Sequence, residues 1–97
     1  MAGEWFAVWW LRERGFEIVG RNVELDGGEI DILALDGSLP VAVEVRTITG
    51  AGDPIDAIDH SKRRHVSRLA ARAGAGRVDF VGLAFGDRAV EVHYVPG

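Results

Sequence analysis

The sequence predicts a single α/β domain over residues 1–97, in which helices pack on one mixed central β-sheet. A chain of 97 residues is long enough to bury one hydrophobic core and too short for two. Its helix and strand signals follow the order α-β-β-β-α-β-β, which is typical of a sheet with helices packed on it. The hydrophobic fraction of 47% and the charged fraction of 27% are ordinary for a globular protein.

Local signals place each element. Gly15 stops the first helix, an Asp-Gly turn joins two alternating apolar runs into a hairpin, and Pro54 suits the first turn of the second helix. We therefore expect a first helix over 3–14, a second helix from about Pro54 to about Ala73, and strands over 16–23, 28–35, 40–47, 77–85 and 88–95.

The composition excludes several kinds of site and location. The chain has no cysteine, which removes disulfides and thiolate metal sites. No apolar run approaches the roughly 20 residues that cross a bilayer, and the first residues lack the features of a signal peptide, so we expect a cytoplasmic protein without membrane association. The net charge of −4 argues against a general nucleic-acid coat protein, although residues 62–72 hold five of the eleven Lys and Arg and no acid.

Acidic residues interrupt two strands that otherwise look built for burial. Alternation puts Glu29 and Asp31 on one face of the second strand and Glu44 on one face of the third. A four-residue loop at 36–39 would set Asp31 opposite Glu44. A two-residue loop at 36–37 would instead set Glu29 opposite Glu44, with Asp31 on the neighbouring diagonal. In both registers the carboxylates lie within about 4.5–8 Å of each other.

Facing carboxylates repel each other, and burial makes an unpaired charge more costly. A divalent cation reverses this effect, because Asp and Glu oxygens suit Mg²⁺, which keeps its other positions for water and phosphate oxygens. Arg46, on the same face as Glu44, would then stand beside the ion as a fixed cation for a phosphate. The alternative is an exposed strand face with a Glu44–Arg46 or Asp31–Arg46 ion pair, which contributes little stability.

The motifs "GEID" at 28–31 and "EVR" at 44–46 resemble the active-site signature of the restriction-endonuclease-like, or PD-(D/E)xK, superfamily. The closer resemblance is to the YraN-like family of small bacterial proteins. It runs from Gly3 to Val81 through "GEWFAVWWL", "RGFEIVGRN", "GEIDILALDG", "VAVEVRT", "AIDHSKRRH" and "RVDFV". The resemblance implies a restriction-endonuclease-like fold similar to that of archaeal Holliday-junction resolvases, with a structure-selective nuclease as the functional analogy.

The same resemblance implies roles for individual residues. It implies that Asp31 and Glu44 ligate Mg²⁺ or Mn²⁺ with the backbone carbonyl of Val45, and that Glu4 on the first helix binds a second metal or a water. Arg46 occupies the position of the signature lysine. Because arginine remains charged where lysine can lose its proton, Arg46 would hold the scissile phosphate, and proton abstraction would pass to a metal-bound hydroxide.

The second helix carries basic residues on two faces. Lys62 falls within the apolar stripe, and we expect it to reach over the edge of the site toward phosphate; the alternative is a stem that snorkels to the helix edge. Arg64, Arg68 and Arg72 form a ridge on the opposite face. Such a ridge is either a solvated helix surface or a binding surface for a DNA or RNA backbone.

The first helix is apolar nearly all round. With Glu4 and Leu11 along its inward face, Trp5 and Trp9 would point outward. Exposed tryptophans are enriched at interfaces, so we expect a homodimer or a protein partner there. The alternative is that the sheet or a loop covers both rings.

These observations predict a small protein that binds nucleic acid, with DNA favoured, and hydrolyses phosphodiester bonds with Mg²⁺, branched DNA being the candidate substrate. The alternative is a catalytically silent member of the family, marked by Arg46 in place of lysine. Such a protein would serve as a nucleic-acid-binding or protein-docking module.

Overall fold

The computed structural model describes residues 2–48 and 60–97. Its elements are α1 (Ala2–Glu13), β1 (Glu17–Leu25), β2 (Gly28–Asp36), β3 (Leu39–Ile48), α2 (His60–Arg72), β4 (Arg77–Phe85) and β5 (Val90–Val95). The predicted α/β class and element order are confirmed, and each strand begins and ends within two residues of its expected position. The expected start of the second helix at about Pro54 lies outside the described residues. Neither described helix has the length and hydropathy needed to span a membrane.

The five strands form one mixed sheet in the order β1-β2-β3-β4-β5. Strands β3 and β4 are parallel, and the other neighbouring pairs are antiparallel. A parallel pair needs a long crossover connection, and α2 lies within the one that joins β3 to β4. The predicted mixed sheet is therefore confirmed, and the first three strands form the meander that carries the acidic residues.

Each helix covers one face of the sheet. On the first face, α1 buries Ala7, Val8 and Leu11 against apolar residues of β2, β3 and β4. On the second face, α2 buries Leu69 and Ala70 against Ile30 and Ala42. The apolar stripe predicted for α2 is thus confirmed in its described part.

Both helices end in the same glycine motif. Gly15 follows α1 with φ +93°, and Gly74 follows α2 with φ +79°. After α1, the N–H of Phe16 donates to the carbonyl of Leu11 and the N–H of Gly15 to that of Arg12, each at 3.0 Å. These are the two bonds of a Schellman motif, which satisfies the last carbonyls of a helix. The stop signals predicted from the sequence are confirmed.

The loop of the β2–β3 hairpin has two residues, whereas one of the two predicted registers had a four-residue loop. Leu35 pairs with Pro40 and Asp36 with Leu39, so the loop is Gly37–Ser38. Gly37 has φ +64°, as two-residue hairpin loops with glycine at the first position require. The register is nevertheless the predicted one that sets Asp31 opposite Glu44. The other predicted register, which paired Glu29 with Glu44, is wrong.

A buried anion fastens the edge of the sheet formed by β4 and β5. Asp79 is fully buried and accepts hydrogen bonds from Arg77 at 2.8 and 2.9 Å, from Tyr94 at 2.5 Å and from the Gly97 N–H at 2.9 Å. Arg77 also reaches Asp36 at the hairpin turn, at 2.9 Å. With each oxygen satisfied, Asp79 is a structural residue.

Two glycines allow the helices to lie close against the strands that carry the acidic residues. A side chain at Gly3 would clash with the Thr47 methyl group of β3. A methyl group at Gly28 would stand 2.8 Å from Leu69 Cδ1 and 2.9 Å from His65 Nε2 of α2. Both glycines directly precede an acid, so the motif "GE" at each position combines close packing with a carboxylate.

Replacing Gly28 by alanine is expected to lower the free energy of unfolding by about 1–3 kcal/mol, because the methyl group overpacks the contact with α2 and because the φ of +158° is one that residues with a side chain rarely adopt. Gly20→Ala is the matched control, since its methyl group would meet Val23 Cγ2 at 3.2 Å, a contact that a small shift relieves. Urea unfolding of the two variants measures the difference. Equal losses of stability would contradict this account of Gly28.

Candidate metal centre

The candidate site lies where the pairing of β2 with β3 ends. The paired residues run from Asp36 and Leu39 to Ile32 and Val43. The next residues along the two strands are Asp31 and Glu44. Here the Asp31 carboxylate, through Oδ2, accepts a hydrogen bond from the Val45 N–H at 2.9 Å. A side chain therefore takes the place that a backbone carbonyl would have in a continued ladder.

The side-chain alternation of β2 is interrupted at this point. Ile30 packs in the core beneath α2, whereas Ile32 packs in the core beneath α1. Residues two apart on a regular strand share a face. The side chains before and after Asp31 therefore alternate in opposite phase. Asn22, opposite Asp31 on β1, has φ +52°, a left-handed conformation that asparagine tolerates better than most residues. The two acids assigned to one face, Glu29 and Asp31, consequently contact different partners.

Glu44 is a buried acid beside a second acid. It is only 5% exposed. Burial, the negative charge of Asp31 and a side-chain hydrogen bond with Asp31 raise the pKa of Glu44 from 4.5 to about 8, although Arg46 acts in the opposite direction. Near neutral pH the Glu44 carboxyl therefore keeps its proton. A strongly perturbed carboxyl of this kind is typical of functional sites.

Arg46 contacts the same groups that were predicted to bind a metal. Its Nη2 lies 2.7 Å from Glu44 Oε1, and its Nη1 donates to the Val45 carbonyl at 3.0 Å. The Glu44–Arg46 ion pair named as the alternative is thus present, but it is not on an exposed strand face, since the Glu44 side chain is 6% accessible and that of Arg46 22%. The guanidinium lies between two of the three expected ligands.

Glu4 belongs to a neighbouring acidic pair. It is buried in the first turn of α1, where the helix dipole favours an acid. With its amide nitrogen facing the carboxylates, Asn22 donates to Glu4 Oε1 at 2.8 Å and to Glu29 Oε1 at 2.9 Å. Sequence reasoning missed Asn22, although it stands within the motif "RGFEIVGRN". Glu4 is therefore held by an amide in this structure, and its expected second-metal role stays a prediction.

The donor set fits a magnesium ion with few protein ligands. Within residues 2–48 and 60–97, no group of three or more His, Asp and Glu side chains is placed to hold a metal ion. Mg²⁺ needs only one or two carboxylates, because water and substrate phosphate complete its octahedron. Asp31, Glu44 and the Val45 carbonyl supply hard oxygen donors of this type. The arrangement fits Mg²⁺ or Mn²⁺ provided that Arg46 moves aside.

The basic residues of α2 divide into two groups. Arg64 and Arg68 are exposed, as the predicted ridge requires. Arg72 is exposed too, but its Nη1 donates to the Asp26 carbonyl at 2.7 Å and so fastens the β1–β2 turn to the helix. The side chain of Lys62 lies outside the described part of the chain, and its expected reach toward phosphate stays a prediction.

The two outward tryptophans are confirmed as exposed. Trp5 is 57% and Trp9 is 55% exposed, so within the described residues neither ring is covered by the sheet or a loop. The Arg21 guanidinium lies over the ring of Trp5, with its central carbon 3.8 Å from the ring centroid. The homodimer or protein partner expected at this surface stays a prediction.

Glu44→Gln is expected to flatten the dependence of stability on pH. In the unfolded chain Glu44 ionises near pH 4.5, whereas the folded protein retains the proton up to about pH 8. The free energy of unfolding contributed by Glu44 is therefore highest below pH 4.5 and falls as the pH rises to 8, by on the order of 4 kcal/mol.

Urea unfolding from pH 5 to pH 8 in a chelator measures this slope in the wild type and the variant. Asp87→Asn, in the exposed β4–β5 turn, is the matched control and is expected to leave the slope unchanged. Parallel curves for the wild type and Glu44→Gln would contradict a raised pKa at Glu44.

Comparison with other proteins agrees with the resemblance read from the sequence. Residues 3–83 match the model of the uncharacterised protein family UPF0102. A UPF0102 protein of Leifsonia xyli is 39% identical over 98% of this chain and 90% of its own length. UPF0102 proteins of Anaeromyxobacter dehalogenans and Geobacter metallireducens are 36% and 33% identical, over 97% of this chain and 78% and 85% of theirs. The chain therefore belongs to the UPF0102, or YraN-like, family.

Proposed function

We propose that this protein is a Mg²⁺-dependent nuclease that hydrolyses phosphodiester bonds in DNA on a restriction-endonuclease-like fold. The observation that carries the proposal is the buried pair of Asp31 and Glu44 at the end of the β2–β3 ladder. Two buried acids that face each other destabilise the fold unless a cation neutralises them. Their presence therefore supports a cation-binding role. The motifs "GEID" and "EVR", which carry these acids, resemble the superfamily's signature and support the proposal.

Each residue of the site has a defined part in the proposed reaction. Asp31, Glu44 and the Val45 carbonyl would hold the ion, and the Val45 N–H fixes the orientation of the Asp31 carboxylate. When bound, Mg²⁺ would polarise the phosphate and lower the pKa of a water. Glu4, held in place by Asn22, would orient water on the α1 side of the site.

Arg46 gives the site a second cation of its own. A phosphate binds a guanidinium through two charge-assisted hydrogen bonds, and would compete with Glu44 for Arg46. Once Arg46 turns to the phosphate, the Glu44 and Val45 oxygens become available to the metal. The proposal therefore makes metal and phosphate binding mutually favourable, because each removes the charge that obstructs the other.

The Arg46 contacts also favour a second candidate function. The guanidinium already gives Glu44 a positive partner at 2.7 Å, which offsets part of the negative charge of the site without a metal. In that case the protein would bind nucleic acid without hydrolysing it. The exposed Arg64 and Arg68 would contact phosphates under either candidate.

Asp31→Asn is expected to lower Mg²⁺-dependent cleavage of DNA by about a hundredfold or more, because it removes a ligand charge while keeping the acceptor for the Val45 N–H. Linear duplex, single-stranded and branched DNA are the substrates, and gel electrophoresis measures the products. Arg88→Gln, in the exposed β4–β5 turn, is the control and should cleave normally. Cleavage that persists in Asp31→Asn would contradict the proposed site. A wild type that cleaves nothing, while Arg46→Lys cleaves, would instead favour the silent module.

Arg46→Met is expected to raise the affinity for Mn²⁺ in the absence of DNA by about tenfold or more. The substitution keeps an apolar stem but removes the charge that lies against Glu44 and the Val45 carbonyl. Electron paramagnetic resonance of free Mn²⁺ measures the binding, and Arg88→Met, in the exposed β4–β5 turn, is the control, expected to match the wild type. Equal affinities in the wild type and Arg46→Met would show that Arg46 does not compete with the metal.

A further inference from the structure

The outward face of α1 combines aromatic rings with arginines. Trp5 and Trp9 are each more than half exposed and lie one helical turn apart, about 6 Å along the axis. Arg21 of β1 lies over the Trp5 ring at 3.8 Å, and the exposed Arg12 stands three residues beyond Trp9, on the same side of the helix. We call Trp5, Trp9, Arg12 and Arg21 the tryptophan face.

The tryptophan face adjoins Glu4, the acid of the candidate site that α1 carries. Glu4 and Trp5 are consecutive in α1, and Arg21 and Asn22 are consecutive in β1. Asn22 donates to Glu4 at 2.8 Å, and next to that bond Arg21 lies on Trp5. These two neighbouring contacts between α1 and β1 place the acidic Glu4 beside the aromatic Trp5. A chain lying on the tryptophan face would therefore pass next to Glu4.

The chemistry of the face selects one kind of occupant. An apolar protein surface would cover the indoles but would bury the Arg21 guanidinium without an anion, which costs free energy. A DNA duplex would offer phosphates to the arginines but keeps its bases stacked inside. A strand with unpaired bases satisfies both groups, because its bases stack on indole rings and its phosphates pair with arginine.

We infer that the tryptophan face binds unpaired nucleotides of a strand that continues into the candidate metal centre. The inference rests on the proposed function and names the form of its substrate: single-stranded DNA, or a branched structure with an unpaired stretch. The two tryptophans supply stacking that does not depend on sequence, and the two arginines supply contacts to the backbone.

Fluorescence anisotropy of a labelled dT₁₂ oligonucleotide, in a chelator without divalent ions, tests the inference. The wild type is expected to bind dT₁₂ more tightly than a hairpin duplex of equal length. Trp5→Ala should weaken dT₁₂ binding roughly tenfold, the usual loss for one stacked base. Arg21→Gln should weaken it and lower the slope of log affinity against log salt by about 0.7, as expected for one lost phosphate contact on a single strand.

Val19→Ala is the matched control, because Val19 is 56% exposed on β1 but is neither aromatic nor basic. It should bind dT₁₂ as the wild type does. All three variants alter exposed side chains, and circular dichroism checks that each is folded. Equal dT₁₂ affinity in the wild type and Trp5→Ala would overturn the inference. So would light scattering that shows a dimer lost in Trp5→Ala while dT₁₂ binding is unchanged, since the face would then join two copies of the chain.

The outcomes also separate this inference from the proposed nuclease activity. Trp5-dependent binding of dT₁₂ by a protein that cleaves no DNA would uphold the tryptophan face and contradict the nuclease. Cleavage that depends on Asp31 but not on Trp5, with no preference for unpaired strands, would uphold the nuclease and overturn the tryptophan face.

Discussion

One hydrogen bond, from the Val45 N–H to the Asp31 carboxylate, governs the region on which the proposed function depends. It ends the backbone ladder between β2 and β3 and places a second acid beside the buried Glu44. Burial and this neighbouring charge then raise the pKa of Glu44 to about 8. Such a pair must be neutralised by a proton, a guanidinium or a metal ion, and the structure offers Arg46 for the second of these roles. The function of the site depends on which of the three cations is bound.

The sequence predicted the fold and the place of the acids well, because both follow from local rules. Alternation and glycine signals located the strands and helix ends, and the two Schellman motifs confirm that Gly15 and Gly74 act as stops. The pairing of Leu35 with Pro40 set Asp31 opposite Glu44 even though the loop has two residues rather than four. The sequence left two registers open, and the observed hairpin combines the pairing of one with the loop length of the other.

The contacts of individual side chains could not be predicted, because they depend on departures from regular geometry. The reversal of faces at Asp31, opposite the left-handed Asn22, separates Glu29 from Asp31 and joins Glu29 to Glu4. Alternation assumes a regular strand and cannot show such a reversal. For Arg46 the sequence left two partners open, a bound phosphate and the neighbouring Glu44, and in this structure the guanidinium contacts Glu44. Charged residues that are close in sequence can form an ion pair with each other in the absence of substrate.

Mn²⁺ binding in the presence of a DNA oligonucleotide is the measurement that decides whether Asp31 and Glu44 hold a divalent cation. Electron paramagnetic resonance would compare the wild type with the Asp31→Asn, Glu44→Gln double variant, which keeps the shape of both side chains. We expect a single saturable site in the wild type that is lost in the double variant. A wild type that binds no Mn²⁺ with DNA present, or a double variant that binds it equally well, would show that the two acids hold no metal ion.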